Sequence, residues 1–294
     1  MARIIIGIHG LRNKPPRRLL QKWWKKAIRE GLRRHGYSRR CFRFRLVYWA
    51  DLLYPRPLDR REKDPKSPFY LEDPYRPAPE VDVTTRREMR RRVLDSLEKV
   101  VDSVFTARDG SARFNALSDS FIRERFPDLD CYYHRSLETK PGVTRPAKEV
   151  IRERLARQLR RFRRRHIMLI GHSMGSIVAF DVLNQVIPGI VVDTLVTIGS
   201  PLALPAIKGK IKAEKPLQVP ENVRRWFNLS DLKDMVAVNY NLADDFQPSS
   251  TGVAVVDQTV CNEYCWSEIP DPHKSFGYLQ TPQFADICRD FFRR

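Results

Sequence analysis

The fold of this 294-residue chain is decided by the segment His166-Ile-Met-Leu-Ile-Gly171-His172-Ser173-Met174-Gly175-Ser-Ile-Val-Ala-Phe180. Its first apolar run predicts a strand buried on both faces of a parallel sheet, and its second predicts a helix that begins after Ser173. Between them lies a G-x-S-x-G sequence, whose glycines allow a turn where a side chain would collide with the neighbouring strand or helix. Ser173 is therefore expected at an exposed, strained bend beside a helix N-terminus, the position of a serine nucleophile. The alternative is a small-residue turn that only packs a helix onto the sheet.

Strands and helices are predicted to alternate on both sides of this segment. Further apolar runs, each consistent with a strand, occur at 3–8, 41–49, 191–198, 223–229 and 253–260. Helices are predicted after the first strand, over 146–165, after Ser173 and over about 281–292. This alternation predicts one α/β domain over 1–294, with a mainly parallel sheet of about six core strands flanked by helices.

Residues 55–140 interrupt this alternation and predict an insertion before the Ser173 segment. Seven prolines lie between Pro55 and Pro79, interleaved with charges, which predicts an irregular excursion. Thr85-Arg-Arg-Glu88 is consistent with a capping box that opens a helix with apolar residues at helical spacing up to Val104. We therefore expect a partly helical, partly irregular insertion within the single domain.

A nucleophilic serine needs a base to take its proton and an acid to orient that base. Of the six histidines, His273 alone follows Ser173, in a polar loop between the last predicted strand and the closing helix. Two carboxylates, Asp231 and Asp234, follow the predicted strand 223–229. The sequence thus predicts His273 as the base, with Asp231 or Asp234 as the acid.

The tripeptide His9-Gly10-Leu11 follows the first predicted strand directly. It is similar to the His-Gly element that supplies an oxyanion-binding N–H in lipases and esterases. The donors would be the backbone N–H groups of Leu11 and of Met174, which follows the serine. His9 is expected to orient this loop rather than to transfer protons.

Taken together, residues 3–50 and about 145–292 resemble the α/β-hydrolase superfamily, in its lipase and serine-esterase branch. The resemblance implies the chain order serine, acid, histidine, and favours Asp234 over Asp231, because an apolar pair closely follows Asp234. It implies an acyl-ester hydrolase that requires no metal or organic cofactor, although the same residues would serve a thioesterase or an acyltransferase. In this family an insertion such as 55–140 can cover the acyl pocket as a lid. The family core usually starts with two antiparallel strands, which this chain lacks, so a trimmed core is expected.

The positive charge lies in the first part of the chain. The net charge is +19, and residues 1–165 hold 43 basic and 21 acidic residues, whereas 166–294 hold 11 and 14. A basic region predicts attraction to an anionic partner, which could be a membrane surface, an acidic substrate or nucleic acid. The alternative function is therefore a lipid- or nucleic-acid-surface-binding protein on a hydrolase scaffold, and the absence of a nucleic-acid-binding motif argues against nucleic acid. The alternative is that the arginines only occupy solvated helix faces. Five cysteines without zinc-type spacing, and no apparent signal peptide or transmembrane segment, favour a cytoplasmic protein that is at most peripheral to a membrane.

Overall fold

The structure, a computed structural model, describes residues 2–37, 41–72, 74–77, 127–187, 189–234, 236–237, 241–266 and 269–294. Its strands are β1 Arg3–Ile8, β2 Phe44–Val47, β3 Ser136–Lys140, β4 Val143–Pro146, β5 His166–His172, β6 Thr194–Ile198, β7 Trp226–Ser230, β8 Val255–Thr259, β9 Cys265–Trp266 and β10 Ile269–Pro270. Six of them form one sheet in the order β2-β1-β5-β6-β7-β8, and every neighbouring pair is parallel. The predicted parallel sheet of about six strands is therefore confirmed.

Helices cover both faces of this sheet. They are α1 Arg17–Arg34, α2 Pro127–His134, α3 Ala147–Arg161, α4 Met174–Asp181, α5 Pro205–Glu214, α6 Ser275–Tyr278 and α7 Pro282–Arg293. The apolar residues of α2, α3, α4 and α5 join one buried cluster, and those of α1, α6 and α7 join the other. Side chains of the sheet separate these clusters, so the domain has three layers with the sheet in the middle.

The continuous apolar run of β1 reflects its central position in the sheet. Ile4, Ile6 and Ile8 point into one apolar cluster, while Ile5 points into the other. Because successive side chains alternate between the faces of a strand, a strand covered on both faces must be apolar throughout. Burial of each isoleucine contributes about 1.5–3 kcal/mol. The sequence pattern of β1 is thus explained by burial on both sides.

The second strand is shorter than the predicted run 41–49 because its end bonds to a side chain instead of the sheet. The backbone N–H of Trp49 donates to His9 Nε2 over 3.1 Å, and the indole N–H of Trp49 donates to the carbonyl oxygen of His9 over 2.9 Å. These bonds attach the chain after β2 to the loop that follows β1. The pairing of β2 with β1 therefore ends at Val47, and beyond it Trp49 bonds to His9 at the carboxyl edge of the sheet.

The predicted insertion is described only in part. Its predicted helix from Thr85 to Val104 lies outside the described residues, whereas α2 and the β3–β4 hairpin follow it. The limits 55–140 therefore stay a prediction. Within the described part of the chain, no helix is both long and apolar enough to cross a bilayer.

Candidate active site

Ser173 occupies the turn between β5 and α4, at the carboxyl edge of the sheet. Its φ of 52° and ψ of −130° are a backbone conformation that residues with a side chain rarely adopt. Such a conformation costs about 1–3 kcal/mol and is found preferentially at functional sites. The backbone N–H of Ser173 donates to the carbonyl oxygen of Ile198 on β6 over 3.1 Å, which holds the bend against the sheet. The expected strain is present, but the serine is only 1% exposed, which corrects the expectation of an exposed side chain.

The two glycines of the G-x-S-x-G sequence allow close backbone contacts. A Cβ atom on Gly171 would lie 2.7 Å from the Cα atom of Ser176 in α4, and one on Gly175 would lie 2.5 Å from the carbonyl oxygen of Ile8 in β1. Both distances are far shorter than van der Waals contact. The first glycine lets the helix approach its own strand, and the second lets it approach the neighbouring strand. This geometry agrees with the steric argument made from the sequence.

His273 and Asp234 are in direct contact. His273 Nδ1 lies 2.9 and 2.8 Å from the two carboxylate oxygens of Asp234. The same carboxylate accepts the hydroxyl of Tyr278 over 2.7 Å and the N–H of Val236 over 2.9 Å. Burial raises the pKa of Tyr278, as does the adjacent carboxylate, so the phenol remains a donor. With Nδ1 directed at the carboxylate, His273 has its other nitrogen, Nε2, available for proton transfer.

Asp231 has a different set of contacts. It accepts the backbone N–H of Asn262 over 2.5 Å and that of Lys233 over 2.8 Å. Its own N–H donates to the hydroxyl of Tyr278 over 3.0 Å. Asp234 therefore contacts His273, the predicted base, whereas Asp231 contacts the backbone of the surrounding loops.

The loop that carries His273, residues 271–275 and hereafter the base loop, is held by its carbonyl oxygens. The side-chain amide of Asn262 donates to the carbonyls of Pro272 and Lys274 over 2.7 and 2.8 Å. His172 Nε2 contacts the carbonyl between them, that of His273, over 2.8 Å. Burial lowers the pKa of His172 well below its usual value, with the His273 ring as the next cause, so His172 is a neutral donor. Three consecutive carbonyls around the candidate base are thus fixed.

The loop after β1, residues 9–12 and hereafter the oxyanion loop, is held in a similar way. His9 Nδ1 lies 2.8 Å from the carbonyl oxygen of Gly10, and its Nε2 accepts from Trp49. Burial, followed by the charge of Lys14, lowers the pKa of His9 to about 3. The ring is therefore neutral and links two backbone groups. This contact set supports the expected role of His9 in orienting the loop.

The two predicted oxyanion donors are the backbone N–H groups of Leu11, in the oxyanion loop, and of Met174, at the start of α4. Neither Leu11 nor Met174 donates its N–H to an acceptor among the residues that the structure describes. The oxyanion loop packs directly on the serine, since a Cβ atom on Gly10 would lie 2.7 Å from the Cβ atom of Ser173. The predicted donor pair is therefore compatible with binding an oxygen near Ser173.

A cavity of about 720 Å³ opens over these groups. Ser173 and His273 both line it. One part of its wall is apolar and consists of Leu20, Trp23, Trp24, Leu58, Leu71 and Phe276. Another part is polar and consists of Arg12, Asn13, Lys14, Glu72, Asp271 and Lys274. Apolar walls with a few convergent polar groups are typical of small-molecule sites.

No hydrogen bond joins the side chains of Ser173 and His273, both of which lie in the described part of the chain. Both line the cavity, and among the described residues the ring contacts of His273 are with Asp234 and the His172 ring, whose centroid is 4.9 Å away. Catalytic hydrogen bonds are often long without substrate and shorten only in the complex. Ser173 and His273 therefore line one cavity at the carboxyl edge of the sheet, and Asp234 contacts His273.

Sequence reasoning missed several residues that hold the site together. They are His172, Asn262, Tyr278, Lys14 and Asp128. Apart from His172, none of them belongs to a recognisable motif. His172 is the one for which a signal existed, because it lies inside the G-x-S-x-G sequence. The others act through contacts between segments far apart in the chain.

Four arginines lie at the edge of the sheet opposite the cavity, whereas Arg12, Lys14 and Lys274 line the cavity itself. Arg3 begins β1, Arg165 precedes β5, and Arg224 and Arg225 precede β7. Because the strands are parallel, these arginines share the amino-terminal edge of the sheet, opposite the serine. In the described part of the chain, no group of three or more His, Cys, Asp or Glu residues is placed to hold a metal ion.

A family model described as a PGAP1-like alpha/beta domain matches residues 145–241. This segment is about a third of the chain, and it contains Ser173 and Asp234 but neither His273 nor the oxyanion loop. A search of curated proteins found no significant match. The matched segment and the parallel sheet flanked by helices together support an α/β-hydrolase scaffold.

Proposed function

We propose that this protein, which has an α/β-hydrolase fold, is a serine hydrolase that cleaves carboxylic esters. Ser173 is the nucleophile, His273 the general base and Asp234 the acid that orients the base. The contact of His273 Nδ1 with both oxygens of Asp234, beside a cavity that Ser173 also lines, carries this proposal. A turn that only packed a helix onto the sheet would not require a histidine paired with a buried acid at the same edge.

Acylation begins when His273 Nε2 takes the hydroxyl proton of Ser173 and Oγ attacks the ester carbonyl. The carbonyl double bond becomes a C–O⁻ single bond, and the imidazolium that forms is stabilised by the Asp234 carboxylate. The tetrahedral intermediate then collapses, and His273 gives its proton to the leaving alkoxide. The alcohol departs, and the acyl group remains on Ser173 as an ester.

Deacylation repeats these steps with water. His273 removes a proton from water, the hydroxide attacks the acyl-enzyme, and collapse releases the acid and restores the Ser173 hydroxyl. In both halves, the N–H groups of Leu11 and Met174 bind the oxyanion. Since negative charge on that oxygen appears only in the transition state, these donors lower the barrier without tightening substrate binding.

The cavity supports a substrate with an apolar acyl part. Trp23, Trp24 and Phe276 are among its apolar lining residues, and the rings of Trp23 and Phe276 pack edge to face with their centroids 6.2 Å apart. A volume of about 720 Å³ is within the usual range for a drug-sized ligand. The same chemistry serves thioesters and amides, so a panel of matched esters, thioesters and amides will define the leaving group.

Turnover of a short p-nitrophenyl ester by Ser173→Ala tests the proposal. We expect a loss of roughly 10⁴-fold or more, because both acylation and its intermediate disappear. Ser176→Ala is the matched control, since its buried hydroxyl lies one turn away and donates to the Ser173 carbonyl over 2.6 Å. Equal turnover by Ser173→Ala and the wild type would disprove the assignment.

A further inference from the structure

We propose that Asp128, in the helix that ends the predicted insertion, positions the oxyanion loop for catalysis. The inference rests on the proposed function, but it concerns a residue that supplies no reacting group. Asp128 lies in α2, 116 residues from the backbone that it holds. The end of the insertion thereby contributes to the active site through a contact with backbone.

The peptide group between Leu11 and Arg12 is held at both of its polar atoms. The N–H of Arg12 donates to Asp128 Oδ2 over 2.5 Å, and the side-chain nitrogen of Lys14 donates to the carbonyl oxygen of Leu11. Hydrogen bonds to an ionised partner are roughly twice as strong as neutral ones. The preceding peptide group, between Gly10 and Leu11, is held by the contact of His9 with the Gly10 carbonyl oxygen. Because both peptide groups are fixed, the Leu11 N–H has a defined direction.

The backbone at Arg12 needs such a restraint. Its φ of 71° is in the left-handed region, and Arg12 and Ser173 are the two non-glycine residues with positive φ among those described. A residue with a side chain adopts this conformation at a cost of about 1–3 kcal/mol. The two strained residues flank the place where the oxyanion would form. Without the Asp128 contact, we expect Arg12 to relax and to turn the Leu11 N–H away.

Asp128 is itself held rigidly enough to act as an anchor. It is 5% exposed, and its second oxygen accepts the hydroxyl of Tyr54 over 2.6 Å. On the same helix, Tyr132 is buried and donates its hydroxyl to Asp181 of α4 over 2.7 Å. A buried carboxylate is stable only when it is paired, and the partners of Asp128 include the N–H of the oxyanion loop. The carboxylate thus joins α2, the chain after β2 and the loop beside Ser173.

The experiment compares Asp128→Ala and Asp128→Asn with Asp130→Asn in the full chain. Asp130 is the matched control, because it is equally buried on the same helix but pairs with Arg135. We expect Asp128→Ala to lower kcat by about 10²–10³-fold, the loss typical of one oxyanion donor, with KM within about threefold. Asp128→Asn keeps one acceptor oxygen and should lose less. Asp130→Asn should match the wild type.

A second readout separates positioning from a general loss of structure. The affinity for a trifluoromethyl ketone, whose hemiketal with Ser173 carries the oxyanion, should fall in parallel with kcat/KM in Asp128→Ala. The affinity for the matching unreactive alcohol should not change. Amide hydrogen exchange of the peptide that contains residues 9–14 should accelerate in this variant and not in Asp130→Asn.

Two results would overturn the inference in different ways. If the wild type turns over ester and binds the ketone while Asp128→Ala behaves as Asp130→Asn does, Asp128 has no positioning role. If the folded wild type neither turns over ester nor binds the ketone, the proposed function is wrong, and so is the inference that rests on it. If Asp128→Ala does not fold, Asp128→Asn provides the test. We then expect its kcat and its affinity for the ketone to fall together. Wild-type values for both would overturn the inference.

Discussion

The two loops beside Ser173 are built on the same principle but from different parts of the chain. In the oxyanion loop, the carbonyls of His9, Gly10 and Leu11 each accept a hydrogen bond from a side chain. In the base loop, the carbonyls of Pro272, His273 and Lys274 do the same. These contacts restrain both loops without using the Leu11 N–H or the His273 Nε2, which are the groups that the proposed mechanism requires.

The partners differ in origin. The base loop is held by His172, at the end of β5 next to the serine, and by Asn262, which follows β8. The oxyanion loop is held by its own His9 and Lys14, by Trp49 after β2, and by Asp128 from α2. The base is therefore positioned by the core sheet, whereas the oxyanion donor also depends on the end of the insertion.

The difference between the two loops predicts which substitutions should impair proton transfer and which should displace a hydrogen-bond donor. In the proposed mechanism the base loop presents a side chain that exchanges protons, so an isosteric change of its acid removes a charge without moving atoms. The oxyanion loop presents a backbone N–H, which no substitution other than proline removes, so variants in that loop act mainly by misplacing the donor. Variants in the base loop should therefore span the larger range of effects.

The largest effect that sharpens this comparison is expected for Asp234→Asn. The amide keeps the size of the carboxylate but cannot stabilise the imidazolium, and it favours the wrong tautomer of His273. We predict a loss of kcat of about 10³–10⁴-fold on the p-nitrophenyl ester. Steady-state kinetics of the purified variant provide the measurement.

Asp231→Asn is the matched control for this variant, since it makes the same isosteric change three residues away. Asp231 accepts from Asn262 and Lys233 instead of His273. We expect a loss of stability of about 1–3 kcal/mol and turnover within about tenfold of the wild type. A larger kinetic loss in Asp231→Asn than in Asp234→Asn would reverse the assignment of the acid.

A smaller effect is predicted for His172→Leu, which removes the contact with the His273 carbonyl. A base displaced by about 1 Å can lose roughly 10²-fold in rate, and Asn262 still holds the two flanking carbonyls. We therefore expect a loss of about 10–100-fold in kcat. His172→Gln retains an amide donor and should recover most of it. Equal losses in the two variants, with unchanged thermal stability, would show that the His172 contact does not position the base.

Much of the fold was predictable because its signals are local. The run before Gly171 and the run of β1 are apolar on both faces, and each ends in a recognisable turn. His273 could be proposed from chain order alone, since no other histidine follows the serine. The parallel pairing followed from the alternation of strands with helices, whereas the order of the strands in the sheet was not predicted.

The contacts that hold the site were not predictable, because each joins distant segments. His172 and the carbonyl it meets are 101 residues apart, and Asp128 is 116 residues from Arg12. Asp231 and Asp234 share one short loop, so spacing could not decide which of them reaches the base. The burial of Ser173 was also missed, because it depends on how the oxyanion loop packs over the bend.

Covalent capture by a fluorophosphonate, followed by intact mass and peptide mapping, tests the central claim most directly. The reagent phosphonylates an activated serine with loss of fluoride, and it does not depend on knowledge of the natural ester. We predict one adduct per chain, on the peptide that contains Ser173. It should be absent from Ser173→Ala and slower to form in Asp234→Asn. A folded wild-type protein that forms no adduct, or an adduct that persists in Ser173→Ala, would contradict the claim.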